Sequence, residues 1–333
     1  MITIGQIAKI AKVSRYTASK VLNGDPSVRP STRQKILTIC KEHGYIPNLN
    51  AINLVKGRSN IIGLIVPYIT DGFYSNIVEL LEQQAQRRGY MLICKSSYNQ
   101  ADTEEEIIRK FLALKICALL VVPVVENPVR STHELAAANV PVIYLDRPYS
   151  QDSYCVLNDN FASARMMTEH LLSRTDKVAF LDSFYGDKNP TAKARRSGYE
   201  SAMKNRELPP QVIYGLASAG QQDNEYYAYQ AIKNYLSTSP VCQALFCVTD
   251  AAAFGAAHAV REAGFTPGRD FFIGGHDNLR FGSHANPSIT TIAQPIEQIC
   301  VTAFNIITAL LRGESVQPLQ WVLPSSLIVR QSG

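Results

Sequence analysis

The spacing of apolar residues along the chain changes character once. In the first forty-five residues it is helical, in three short bursts. Ile4, Ile7, Ala8, Ile10 and Ala11 mark the inner face of a first helix, and Thr3 and Gln6 stand three apart at its start, as a capping box needs. After a three-residue turn, Ser14 is placed to cap a second helix with Ala18, Val21 and Leu22 inward. A third helix is predicted from Pro30, with Ser31 and Gln34 in capping-box spacing, Ile36, Leu37 and Cys40 inward, and its end at Gly44. Two short helices joined by a tight turn are the sequence form of a DNA-reading helix-turn-helix. Amphipathic helices with basic outer faces also occur in other helical domains, so the pattern needs a second witness.

From residue 61 the pattern alternates between strand and helix. Apolar runs at 61–66, 90–94, 117–122 and 141–145 are separated by helical segments near 73–88, 102–115 and 129–139. The series then restarts, with runs at 177–181, 211–214, 243–248 and 271–274 among helical segments near 161–173, 191–206, 222–236 and 250–264. Such alternation predicts βαβ units and parallel sheets. The expected fold is therefore an α/β body of two doubly wound lobes behind an all-α helix-turn-helix head. Ligands of such sheets bind at the carboxyl ends of the strands.

Charge is the second witness for the head. Residues 1–60 carry ten Lys or Arg against Asp25 and Glu42, whereas the other 273 residues carry twenty-three basic and twenty-six acidic side chains. A basic head on a slightly acidic body suits a module that holds phosphates beside a part that stays off the duplex. The outward positions of the second helix, Arg15, Tyr16, Thr17, Ser19 and Lys20, would enter a major groove.

The residues after each predicted strand share one chemistry. Asp71, Phe73 and Tyr74 follow the first run, and Asp146 and Arg147 the fourth. Asp182, Asn189, Thr191, Lys193 and Arg195 follow the fifth, Thr249 and Asp250 the seventh, and His276 and Asp277 the eighth. Carboxylates accept from neighbouring hydroxyls, a guanidinium donates in a fork, and an aromatic ring covers the apolar face of a sugar. An Asp after a strand also caps the next helix in many proteins, and Asp159 and Asp250 fit that plainer role best.

Taken together, these residues resemble the LacI/GalR family of bacterial transcription repressors over essentially the whole chain. The resemblance is carried by the head, by Y-I-P-N at 45–48, A-I-N-L at 51–54, I-I-G-L-I-V-P at 61–67, L-D-R at 145–147 and N-D-N at 158–160. It continues in A-R-R-S-G-Y at 194–199, L-F-C-V-T-D at 245–250, G-G-H-D-N at 274–278 and T-T-I-A-Q-P at 290–295. It implies a head at 1–46, a hinge helix and linker at 47–59, and a body like periplasmic binding proteins. One subdomain would hold 60–160 plus 293–322, and the other 161–292 plus 323–333.

The resemblance implies that Thr3, Ser14, Arg15, Tyr16, Thr17, Ser19, Lys20 and Asn23 serve DNA binding. In the hinge it adds Asn48 and Ala51, and Leu54 as an apolar wedge in the minor groove. A small effector would be bound by Phe73, Tyr74, Asp146, Asn189, Thr191, Lys193, Arg195, Thr249, Asp277 and Gln294. The sequence departs from the family pattern at three places. Lys12 stands where many members have Gly, His276 replaces the usual Tyr or Phe before the effector aspartate, and 215–223 has no counterpart to an aromatic lid. Arg147, Lys188 and Lys193 add positive charge near the cleft, which tilts the expected effector toward an acidic sugar or sugar phosphate over a neutral one.

A repressor of a palindromic, double-stranded operator is thus expected, working as a homodimer in the cytoplasm or on the nucleoid, under the control of a carbohydrate-derived effector. A purine-type corepressor is the alternative, and a solute receptor or an enzyme acting on a sugar are others. The enzyme reading lacks G-x-S-x-G, since Leu216 precedes Ser218, and no phosphate-binding glycine loop follows a strand. No metal or cofactor is expected: the seven cysteines form no C-x-x-C pair and read as reduced and buried. No run of eighteen uncharged apolar residues or leader pattern is seen, so no membrane partner is expected. The C-terminal stretch, with Pro318 and Pro324, carries no heptads for a tetramer helix.

Overall fold

The computed structural model describes residues 2–22, 24–46, 59–125, 132–182, 185–215, 224–238 and 242–333. The chain divides into two compact units, Met1–Asn60 and Ile61–Gly333. Asn23, the hinge residues Asn48, Ala51 and Leu54, and the loop 216–223 lie outside the described residues.

The first unit is a bundle of three helices, α1 (Ile4–Ala11), α2 (Arg15–Leu22) and α3 (Pro30–Glu42). Its core is Ile7, Ala11, Val21, Ile36, Ile39 and Cys40. Two positions expected inside are at the surface, Ile10 and Leu37. In α3 the buried residues are Ile36, Ile39 and Cys40, one stripe at three- and four-residue spacing, and Leu37 lies on the flank of that stripe. The Thr3–Gln6 capping box forms: Gln6 N–H donates to Thr3 Oγ1 and Thr3 N–H to Gln6 Oε1. The corresponding box at Ser31 and Gln34 does not. With Pro30 as the first helical residue the cap position falls on Arg29, which makes no side-chain cap bond, and Ser31 is already inside the helix.

Lys12, in the place of a glycine, keeps the glycine conformation. Its φ is 55° and its N–H donates back to α1 carbonyls. The turn thus takes the left-handed backbone that a glycine would supply freely, and the left-handed lysine costs about 1 kcal/mol.

The second unit holds two six-stranded sheets. With strands numbered in chain order, the first contains β1 (Ile61–Val66), β2 (Met91–Ser96), β3 (Ala118–Val121), β4 (Val142–Leu145), β5 (Tyr154–Asn158) and β11 (Gln320–Leu323). The second contains β6 (Val178–Leu181), β7 (Gln211–Ile213), β8 (Ala244–Cys247), β9 (Phe272–His276), β10 (Thr290–Ala293) and β12 (Ser326–Ile328). The spatial orders are β2-β1-β3-β4-β5-β11 and β7-β6-β8-β9-β10-β12, the same winding twice. All pairs are parallel except β10 with β12. The central strands β1, β3, β4, β6 and β8 are short and apolar because helices cover both faces.

Sequence periodicity misses β5, β10, β11, β12 and the helix Ile296–Leu311. That helix returns the chain to the first lobe and packs Ile299, Cys300, Ala303 and Phe304 into its core. Two boundary residues change lobe: Ala293 ends β10 in the second sheet, and Leu323 ends β11 in the first. The seven cysteines are free thiols, six of them buried. No helix among the described residues is long and apolar enough to cross a membrane.

Candidate functional site

On the head, the outward side chains of α2 divide into those held by local bonds and those left open. Ser14 Oγ accepts from Thr17 N–H at 3.0 Å and lies 2.8 Å from Thr17 Oγ1, so both residues serve the start of α2. Thr3 is likewise engaged in its own cap. Arg15 is exposed, and Tyr16 is 70% exposed. Lys20 bends back: its ammonium donates to Ser27 Oγ at 3.0 Å, lies 3.4 Å from Asp25 and sits 5.2 Å from the centre of the Tyr16 ring. Ser19 is half-buried beside it.

On the body, strand ends from both lobes converge on a cavity of about 460 Å³. Of the sequence-predicted residues, Phe73, Tyr74, Asp146, Asn189, Thr191, Arg195, Thr249 and Asp277 line it. Lys193 does not: it is exposed, because the helix Pro190–Asn205 turns Thr191 and Arg195 inward and position 193 outward. Gln294 stands behind the wall, where its Nε2 donates to Asp277 Oδ1 at 2.7 Å. Residues the sequence did not single out for binding include Tyr68, Asn99, Tyr185, Asn224, Glu225 and Leu279. They come from loops and helix starts outside any motif, and only the predicted winding could have pointed to them.

Several lining residues are there as helix caps. Asp71 Oδ1 accepts from Phe73 N–H at 2.8 Å, Asn189 Oδ1 from Thr191 N–H at 3.1 Å, and Thr249 Oγ1 from Ala252 N–H at 3.1 Å. Thr249, not Asp250, caps the helix Asp250–Glu262. Asp250 is fully buried instead, accepting from Thr291 Oγ1 at 2.5 Å and from Leu279 N–H at 2.7 Å. Burial first, then the charge of Asp277, pushes its carboxyl up to about 7. Asp159 is the cap it was expected to be, accepting from Ala162 N–H.

Two aspartates face one another across the cavity. Asp146 follows β4 directly, and Asp277 follows β9, the strand at the same place in the second sheet. Asp146 Oδ2 accepts from Tyr74 Oη at 3.0 Å, and Arg147 holds the same tyrosine oxygen at 3.2 Å while donating to the Pro123 carbonyl at 2.7 Å. Asp277 Oδ1 takes the Gln294 bond, lies 3.2 Å from His276 Nδ1 and 3.7 Å from Arg195 Nη2. Arg195 is fixed by Asn160 Oδ1 at 2.9 Å and the Val248 carbonyl at 2.6 Å. Gly198 allows this: a Cβ there would strike the Phe161 carbonyl oxygen and push the arginine's helix off its neighbour.

Both aspartates sit on unusual backbone. Asp146 has φ 62° with Arg147 N–H donating to Leu145 O, a γ-turn of the strained hand, and Asp277 has φ 124°. Burial pushes Asp277 up to about 7 against Arg195 and Gln294, and Asp71 up to about 6 with help from Asp277. Lining the cavity are Asp71, Asp146, Asp277 and Glu225 against Arg147 and Arg195. Of the three cations behind the expected acidic effector only Arg147 lines the cavity, since Lys188 and Lys193 are exposed and do not, and Arg147 and Arg195 each already donate to a backbone carbonyl.

Residues 3–48 match the family of bacterial regulatory proteins of lacI type, and residues 62–315 match the periplasmic binding protein domain. The ribose operon repressor of Halalkalibacterium halodurans is 28% identical, over all of this chain and 97% of its own length. Catabolite control protein A of Priestia megaterium is also 28% identical, over 99% of both chains. Among solved structures, the lac repressor dimer bound to operator and the anti-inducer ONPF superposes with a TM-score of 0.85 at 24% identity, covering 99% of this chain and 98% of that one. This family is one of transcriptional regulators and not of enzymes. With a helix-turn-helix head in front of a two-lobed binding body, the chain belongs to the lacI family of bacterial regulatory proteins and is a DNA-binding transcriptional regulator.

Proposed function

We propose that the chain represses transcription from a palindromic operator as a homodimer, and that a neutral carbohydrate in the cavity of the body sets its operator affinity. The observation that carries the effector class is the paired aspartates: each lobe offers one, with one oxygen held by the protein and the other left for ligand hydroxyls. A carboxylate or phosphate on the ligand would meet four acidic side chains against two guanidinia that each already donate to a backbone carbonyl. The buried Thr191 Oγ1 and Arg147 Nε, which lack hydrogen-bond partners among the described residues, are ready for further hydroxyls. Phe73 and Tyr74, packed edge to face, supply the apolar wall. A relative named as a ribose operon repressor accords with this class.

In the head, Arg15, Tyr16 and Lys20 read or position the major groove, with Thr3, Ser14, Thr17 and Ser19 in support. Asn23, Asn48, Ala51 and Leu54 carry the remaining contacts by resemblance. Two copies are required because one head spans only a few base pairs.

A thermal-shift screen of neutral sugars, sugar acids, sugar phosphates and purines tests the effector class. A neutral sugar at a hundred times its Kd should stabilise the body by about 2.7 kcal/mol. A shift given only by acids, phosphates or purines would reject it. For the head, Arg15→Ala should cost about 1–3 kcal/mol on the cognate operator, and equal loss on random DNA would demote Arg15 to a phosphate contact.

A further inference from the structure

His276 is wholly buried and occupies the position before the second-lobe aspartate. Its ring bridges two polar groups: Nδ1 lies 3.2 Å from Asp277 Oδ1, and Nε2 lies 3.0 Å from Ser163 Oγ. Ser163 Oγ also lies 3.1 Å from the Asn160 carbonyl, so its single proton has two possible acceptors.

The neighbours of Asp277 decide between them. Oδ1 already receives the Gln294 amide at 2.7 Å and faces the Arg195 guanidinium at 3.7 Å, which mark it as an acceptor. A bare Nδ1 against that oxygen would set two lone pairs against each other, so Nδ1 must carry the proton. Nε2 is then an acceptor, and the Ser163 hydroxyl turns to it. Burial and the nearby Arg195 charge keep the ring from taking a second proton. Two donors, Gln294 and His276, thus converge on Oδ1 beside the Arg195 charge, and Oδ2 has no partner among the described residues.

We propose that His276, locked as the Nδ1–H tautomer by Ser163, is a positioning residue that fixes the Asp277 carboxylate and so leaves its Oδ2 pointing into the effector cavity. The claim rests on the reading of that cavity as the effector site. A Phe or Tyr at this position would pack as well but could not donate from the ring to Oδ1. His276 therefore acts on ligand recognition without touching ligand.

The test has a ligand-free arm and a ligand arm on the full chain. In the first, ¹⁵N resonances of labelled histidine side chains are recorded from pH 5.5 to 8, with His276→Phe identifying the signal by its loss. The expected result is one neutral ring, protonated at Nδ1 throughout, whose tautomer becomes mixed in Ser163→Ala. A ring protonated at Nε2, or one that becomes doubly protonated in that range, overturns the proposal.

In the second arm, D-ribose, D-xylose, D-glucose and D-galactose are titrated calorimetrically. For a sugar that the parent chain binds, His276→Phe should weaken binding at least tenfold. His276→Asn, whose amide N–H can stand where Nδ1–H stood, should recover it to within about threefold. Equal loss in both variants, with operator binding intact, assigns the histidine a packing role only and overturns the proposal. Should none of the sugars bind the parent chain, the neutral-carbohydrate reading fails, and the spectroscopic arm still decides the tautomer.

Discussion

The two lobes of the body share one winding and differ in how they hold one side chain. In each, the residue after the fourth strand in chain order is an aspartate facing the cavity, Asp146 or Asp277. The first lobe anchors its aspartate with neighbours from the same lobe, Tyr74 and Arg147, and among the described residues the tyrosine is the single close donor. The second anchors its own through three groups from separate elements, Arg195, Gln294 and His276. Topology sets where ligand chemistry appears, and side-chain partners set how firmly it is held. Duplicated scaffolds can therefore diverge in stiffness without moving a strand.

This contrast is most severely tested by Arg195→Ala. It leaves the Asp277 carboxylate without its counter-charge and empties the donor at Asn160 and Val248, so the body should lose about 3–5 kcal/mol in thermal unfolding together with its sugar response. A loss below 1 kcal/mol would mean that the second-lobe anchor is redundant.

The first-lobe counterpart, Tyr74→Phe, removes one hydroxyl whose partners keep other contacts. It should cost about 1–2 kcal/mol, and a cost equal to that of Arg195→Ala would erase the distinction. Sugar titrations on both variants complete the pair.

A further effect is a slope with pH. A buried carboxyl raised to about 7, as at Asp250, stabilises the fold fully below its unfolded value of 3.8, and that contribution is lost as pH rises through 7. Asp277 and Asp71 have the same sign. His276, lowered by burial, slopes the other way below 6.5. The three carboxyls prevail, so the unfolding midpoint of the body should fall between about pH 4 and 7, and Asp250→Asn should flatten the fall. A midpoint that rises across that range in the parent chain would contradict these assignments.

How much of this was legible in the sequence differs by the range of the interactions. In the head, signals are local: a cap three residues from its partner, a stripe at helical spacing and a run of basic residues. These gave the three helices, although periodicity admitted Ile10 and Leu37 to a core that a small bundle closes without them. In the body, the strongest runs marked β1, β3, β4, β6, β8 and β9, which are central or near central and apolar on both faces. The strands β11 and β12, QWVL and SLI, are short, mixed in polarity and at the sheet edges, so no period marks them.

Eight of the ten expected effector positions line the cavity, all but Arg195 because they follow strands or open helices, where topology fixes them. Lys193 and Gln294 could not be sorted that way. The first needs the rotation of its helix, and the second needs to be seen behind Asp277.

The φ values of 62° at Asp146 and 124° at Asp277 bear on how such a regulator can change over generations. Glycine would relax either backbone at no steric cost, yet it would delete a carboxylate that we propose recognises the ligand. Selection for robustness alone would thus drift toward a sturdier protein deaf to its signal. A stabilised descendant that still responds must have gained its margin elsewhere, and its two aspartates would record that it was never free to relax there.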